Sequence, residues 1–190
     1  MNKIETAQDF YSIRETPFGP VAVVWSVYRG QPKIRRVLLS KSGDSAKRVL
    51  ETSFLESTAS SCPEIDDIAN KILGFLNGDN IRFSLNMVAL DLCSKFQQKV
   101  LRAEHGIPWG RVSTYQRIAK RLGHDKAARA VGGALANNPF PIIIPCHRAI
   151  RSDGTLGGYQ GGLEMKHTLL KVEGVFFNGC GHVMTDKFFY

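Results

Sequence analysis

No apolar run in this chain approaches the roughly 20 residues that a membrane-spanning helix needs, so no membrane partner is expected. The first residues, Met1-Asn2-Lys3-Ile4-Glu5-Thr6, contain no signal-peptide core, and an intracellular protein is expected, cytoplasmic in a prokaryote or nuclear in a eukaryote. Cysteine is sparse. Cys62, Cys93, Cys146 and Cys180 lie far apart, with no C-x-x-C pair and no Cys/His cluster. That spacing gives no reason to expect a structural zinc site, and neither a metal nor another cofactor is predicted. Free thiols in a reducing compartment are the simpler reading. His105, His124, His167 and His182 stand in no context that suggests chemistry and read as structural or surface groups.

What is present is a globular composition, 43% hydrophobic over 190 residues, enough for one or two domains with a sizeable core. Charge is placed unevenly. Residues 1–90 carry 11 Lys/Arg and 10 Asp/Glu, a net of +1, and residues 91–190 carry 14 and 7, a net of +7. A basic half is the electrostatic footprint of a polyanion binder, because each phosphate contact releases condensed counterions. Charge alone is equally compatible with a solubilising surface.

The first half reads as scaffold. Phe10–Arg14 and Val21–Val27 flank the turn signal Pro17-Phe18-Gly19-Pro20, and Arg29-Gly30-Gln31-Pro32 precedes Ile34–Leu39, an antiparallel meander. A short helix is predicted over Ala46–Phe54. A better one begins at Pro63, with Ile65, Ile68, Ala69, Ile72, Leu73 and Leu76 at helical spacing and Gly78 after its end. Ile81–Leu85 reads as one more strand. From Leu90 the character changes. Ser94 caps a helix over residues 95–101, Ser113/Thr114 cap Tyr115–Leu122, and Asp125 is placed to cap Lys126–Ala136. Two short basic helices joined through a Gly-containing turn match a helix-turn-helix, or an ordinary helical hairpin. The second is almost free of bulk: Ala127-Ala128-Arg129-Ala130-Val131-Gly132-Gly133-Ala134. Each glycine costs about 1 kcal/mol against alanine in a helix. Close backbone approach explains that cost, either to DNA with Arg129 projecting or to another helix.

Asn137-Asn138-Pro139 ends this helix, and Pro141-Ile142-Ile143-Ile144 reads as a strand leading into Pro145-Cys146-His147-Arg148. A thiol there stands directly beside an imidazole. Cysteine works as its thiolate, and an adjacent base makes that form accessible near neutral pH. A free cysteine is otherwise a small buried hydrophobe. The glycine-rich stretch Arg151–Gly162 lacks the G-K-S/T ending of a phosphate loop and instead places Tyr159 between glycines, as a pocket wall requires. Leu163–Glu173 is a final amphipathic helix. Glu173 lies at its C-terminal end, where a carboxylate opposes the helix dipole and needs a cationic or imidazole partner.

Ile144-Pro145-Cys146-His147-Arg148, Gly157-Gly158-Tyr159-Gln160-Gly161-Gly162 and the Lys166–Gly174 segment, in that order, resemble the O6-alkylguanine-DNA alkyltransferases, the methylated-DNA–protein-cysteine methyltransferases. Val112-Ser113-Thr114-Tyr115, Ala128–Ala134 and Asn138-Pro139 fit the same family, and the match spans residues 94–175. The resemblance implies an α/β (α+β) protein: an RNase H-like domain over residues 1–90 and a winged helix-turn-helix domain over 91–190. It implies Cys146 as the alkyl acceptor, His147 as base, Glu173 as its orienter, Tyr115 as proton donor to the leaving guanine and Asn138 as holder of the turn. Arg129, Ala128, Ala130, Gly132, Thr114, Arg148 and Arg151 are implied at the DNA. Pro141, Tyr159, Gly157, Gly161 and Lys166 are implied around the alkyl group. The partner is double-stranded DNA carrying O6-alkylguanine; the sequence leaves activity on O4-alkylthymine open. A monomer with no obligate protein partner is expected. The first half lacks the Cys/His pattern of zinc-binding relatives, and Cys146 stands where the non-catalytic alkyltransferase-like proteins carry Trp. Ala149 and Ile150 stand where the family often has two valines. A lesion-binding or regulatory module would leave Cys146-His147 with Glu173 unexplained. A cysteine hydrolase would leave the Ala/Gly-rich helix unexplained.

Overall fold

The computed structural model describes residues 8–185 and 188–190. Strands β1 (Phe10–Arg14), β2 (Val21–Tyr28) and β3 (Gln31–Leu39) form the predicted antiparallel meander, and β4 (Thr58–Ala59) joins β1 in parallel, giving the order β3-β2-β1-β4. The β2–β3 turn uses Arg29 and Gly30, both left-handed at φ 52° and 75°, the twist a two-residue hairpin loop demands. β2 reads Val-Ala-Val-Val-Trp without alternation because both faces of the sheet are covered. Helix α2 (Pro63–Leu76) lies over Val21, Val23, Trp25 and Val37, while α1 (Ala46–Ser53) lies over Ala22, Val24 and Leu38.

The second half adds α3 (Lys95–His105), β5 (Ser113–Thr114), α4 (Tyr115–Arg121), α5 (Ala128–Ala136), β6 (Ala149–Ile150), α6 (Gly162–Val172) and a hairpin of β7 (Phe176–Phe177) with β8 (Val183–Met184). α3, α4 and α5 pack on one another, and β5 pairs in parallel with β6. The caps at Ser94 and Thr114 form as read, their hydroxyls accepting from Gln97 N–H at 3.2 Å and Arg117 N–H at 3.1 Å. One apolar cluster runs from the sheet and α2 into α3, α4, α5 and the segment before Cys146. Two backbone bonds tie β3 to later segments: Ala89 N–H to Ile34 O and Val37 N–H to Pro139 O, each at 2.8 Å.

Three local expectations are corrected. Residues 81–85 form no strand, and the chain instead turns through a 3₁₀ segment at Leu85–Met87. Asp125 does not cap α5, which starts at Ala128 with no side-chain cap; the Asp125 carbonyl is held by Gln116 instead. Residues 141–144 are not a strand either. Ile142 takes φ 72°, and Ile144 N–H returns to Phe140 O at 2.8 Å, closing a turn. Burial of three isoleucines outweighs their strand preference here.

Candidate active site and nucleic-acid interface

The turn over residues 140–144 delivers the chain to a single 3₁₀ turn, Cys146–Arg148. Asn138, fully buried, holds it from behind: its Oδ1 accepts from Phe140 N–H at 2.9 Å and its Nδ2 donates to Ile144 O at 3.0 Å. Both ends of an amide side chain are thereby used, which fixes where Cys146 emerges. The Cys146 thiol is buried and its ionisation is pushed up to about 12, first by desolvation and further by Glu104; the neighbouring Asn138 side chain and Lys166 act in the other direction. At rest it is a thiol.

His147 lies wholly buried beside it, with Phe75 at 5.8 Å and Tyr159 at 6.0 Å packed edge-on to its ring. Burial lowers its basicity despite the Glu173 carboxylate, so the ring is neutral. Nε2 lies 2.7 Å from Glu173 Oε1. In the neutral ring that nitrogen carries the proton and donates it to the carboxylate, leaving Nδ1 as an acceptor. Nδ1 is buried and has no hydrogen-bond partner among the described residues. It is an imidazole with a free lone pair, adjacent in sequence to a thiol.

Glu173 follows the last turn of α6 and is itself buried. Desolvation works against its charge, but hydrogen bonds from His147 and Arg148 outweigh it and hold the carboxyl below its usual range. Arg148 donates to it from Nε and Nη2 at 2.9–3.1 Å, and Gly110 N–H adds a bond at 3.2 Å. The guanidinium also donates to Ile107 O at 2.7 Å and sits 6.0 Å from the Phe75 and Trp109 ring centres. Arg148 was expected at the DNA; it is instead a buried counter-ion, because a carboxylate this deep needs one. Thr114 likewise is not presented to a duplex, being buried with Oγ1 accepting the α4 cap bond from Arg117 N–H.

The glycine-rich loop closes on the turn. Lys166, expected at the pocket, is buried with Nζ donating to Ala149 O at 2.7 Å and Leu156 O at 2.5 Å, so it braces the loop. Gly157 is left-handed at φ 67°, and a Cβ there would come within 2.7 Å of Tyr115 Oη. The loop therefore passes tight against the Tyr115 hydroxyl. That hydroxyl stays protonated up to about 12, first through desolvation and then through Glu104 and Cys146. A Cβ on Gly161 would meet Met165 and Tyr159. Tyr159 Oη is buried and has no hydrogen-bond partner among the described residues. Pro141 is buried in the turn rather than on an open surface.

On α5 the arrangement reverses. Arg129 and Ala130 are exposed, Ala128 and Gly132 half-buried, and Arg129 makes no hydrogen bond or ion pair among the described residues. A Cβ on Gly133 would meet nothing within 4 Å, and one on Gly132 only Tyr115 at 3.9 Å. Packing inside the protein does not require these glycines. Arg151 is also exposed.

Residues 95–175 match the family described as "6-O-methylguanine DNA methyltransferase, DNA binding domain". A protein named methylated-DNA–protein-cysteine methyltransferase from Methanothermobacter thermautotrophicus is 41% identical over 144 residues, covering 75% of this chain and 81% of that protein. This chain belongs to the methylated-DNA–protein-cysteine methyltransferase family. A second member, from Methanosarcina acetivorans, is 33% identical over 165 residues, covering 87% of this chain and 98% of its own length. The crystal structure of Mycobacterium tuberculosis OGT in complex with DNA superposes with a TM-score of 0.69 at 29% identity, over 87% of this chain and 93% of that one. The mixed α/β architecture is thus that of the methyltransferases. No helix among the described residues is long and apolar enough to cross a membrane.

Sequence reasoning left Glu104 out of the site. It lies fully buried, with neither carboxylate oxygen hydrogen-bonded among the described residues. Its signal was present: it continues the stripe of Val100 and Leu101 on α3, where an apolar residue belongs.

Proposed function

We propose that this protein repairs DNA by direct reversal, moving the alkyl group of O6-alkylguanine irreversibly to its own Cys146. One observation carries the reading: a buried thiol adjoins a neutral imidazole whose outer nitrogen is held by a charge-compensated carboxylate. The alkylated base is inaccessible inside a duplex and has to be flipped out. The smooth α5 surface, with glycines the fold itself does not need, suits close approach to the minor groove, and Arg129 is free to occupy the vacated stack. Arg151 is an exposed cation suited to a phosphate. His147 Nδ1 takes the Cys146 proton through one water, and the Glu173 carboxylate stabilises the imidazolium that forms. Sulfur then attacks the alkyl carbon. The S–C bond forms as the C–O6 bond breaks, and the electron pair leaves with the guanine ring. Tyr115, still protonated at neutral pH, donates its proton to that ring. The thioether has no resident group to cleave it, so one chain accepts one alkyl group.

Incubation with a duplex carrying O6-methylguanine, followed by mass spectrometry, tests this. The expected result is one added methyl per chain, on the peptide containing Cys146. A label on Cys62, Cys93 or Cys180, or sustained turnover, overturns it.

A further inference from the structure

Glu104 is a fully buried carboxyl with neither oxygen hydrogen-bonded among the described residues, on the buried face of α3. The ionisable groups around it come from every element packed there. Tyr115 stands on α4, Cys146 and Arg148 on the 3₁₀ turn, Lys166 on α6 and Tyr190 in the C-terminal segment; each interacts electrostatically with it. Two of these groups bond to the backbone beside Glu104: Tyr190 Oη donates to Ala103 O at 2.9 Å, and Arg148 donates to Ile107 O at 2.7 Å. Arg148 is already committed to Glu173 and Lys166 to backbone carbonyls, so neither cation is bonded to Glu104. A carboxyl so placed gains little by ionising, and if it does ionise its field falls on the thiol.

We propose that Glu104 is a positioning residue for the alkyl-acceptor reaction: while it keeps its proton Cys146 can ionise unopposed, and once it loses that proton the Cys146 thiolate is suppressed. The proposal rests on Cys146 being the acceptor. The proton count is simple. Two acids sit in one dry cluster, and loss of a proton from either raises the cost of losing the other's. Glu104 releases its proton at about 8, driven up first by desolvation and moderated by Lys166 and Arg148. Alkyl acceptance thus has an alkaline limit that belongs to α3 rather than to the Cys146–His147–Glu173 relay.

The test reads the thiol itself. Wild type, Glu104→Gln and Glu104→Leu are treated with iodoacetamide across pH, and modification of Cys146 is followed by peptide mapping. At about pH 6 the Gln variant and wild type should react alike, and at about pH 9.5 the variant should react roughly tenfold faster or more, the repulsion of a nearby charge in a protein interior. Glu104→Leu should behave as Glu104→Gln does, and decides the matter if Gln does not fold. A ratio that does not change with pH overturns the proposal, as does an unaltered profile in both variants. Wild type is separately given an O6-methylguanine duplex. Failure there sinks the repair reading, while the iodoacetamide profile still decides what Glu104 does to Cys146.

Discussion

Glu173 serves two side-chain partners, and its replacement should show both. Glu173→Gln keeps the size but removes the charge that holds His147 and compensates Arg148. Alkyl transfer should fall on the order of 10²-fold through loss of general-base assistance. Stability should also fall, by about 3–5 kcal/mol, because Arg148 is left buried and unpaired. Single-turnover rates and denaturant melts measure the two. An unchanged rate would reduce Glu173 to a structural counter-ion. Arg129 is the opposite case, exposed and without a hydrogen bond or ion pair among the described residues. Arg129→Ala should slow repair of duplex DNA by roughly ten- to a thousandfold, since flipping costs a few kcal/mol. It should leave the melting temperature and the reaction with free O6-benzylguanine nearly unchanged. Equal loss on both substrates would remove its role at the stack. Asn138→Ala strands the Phe140 N–H and the Ile144 carbonyl, at a cost of about 2–4 kcal/mol.

At the scale of elements, α5 separates stability from function. Gly133 has open space where a Cβ would go, so Gly133→Ala should raise stability by about 1 kcal/mol through helix propensity alone. Gly133→Leu should fold as well but repair duplex DNA poorly while still reacting with free O6-benzylguanine, if the helix lies against a groove. Normal duplex repair by the Leu variant would place the DNA elsewhere. The elements that the sequence made legible are those where local and tertiary preferences agree: the meander, α2 with proline at its start, α3 and α4 behind their hydroxyl caps. The turn over residues 141–144 was misread because three consecutive isoleucines look like a strand. Ile142 adopts a left-handed backbone that costs about 1–3 kcal/mol for such a residue, and only long-range burial can hold it there. The pairing of Glu173 with His147 was legible because an acidic residue at a helix C-terminus has to find a partner. Arg148 was not, since an arginine in a basic half looks like a phosphate ligand until its depth is known. Glu104 was passed over for its type, since a carboxylate is usually a surface group, although its place on the apolar stripe of α3 pointed inward.

For the molecule as a whole, Glu104 also sets a pH dependence of folding. The unfolded chain ionises it near 4.5, and the folded chain holds the proton to about 8. The folded state binds the extra proton between those values, so stability is full below about pH 4.5 and is lost as pH rises toward 8. At about pH 7 the cost is on the order of 3 kcal/mol. Glu104→Leu should therefore gain melting temperature over wild type as pH rises, by roughly 5–10 °C between about pH 4.5 and 7.5. A pH-independent difference would mean that the carboxyl is not buried in solution.

The bond from Val37 N–H to Pro139 O reaches from the scaffold sheet to the residue that begins the turn below the nucleophile. An amide caught in such a bond exchanges its hydrogen only when the sheet edge and the turn part company. Val37 should consequently be among the slowest amides to take up deuterium, at the pace of global opening, and calorimetry should show a single transition. Early exchange at Val37, with β2 still protected, would reveal a hinge there. If Val37 stays protected, the acceptor thiol keeps its place for as long as the sheet endures, and a protein that reacts once has no need to move it again.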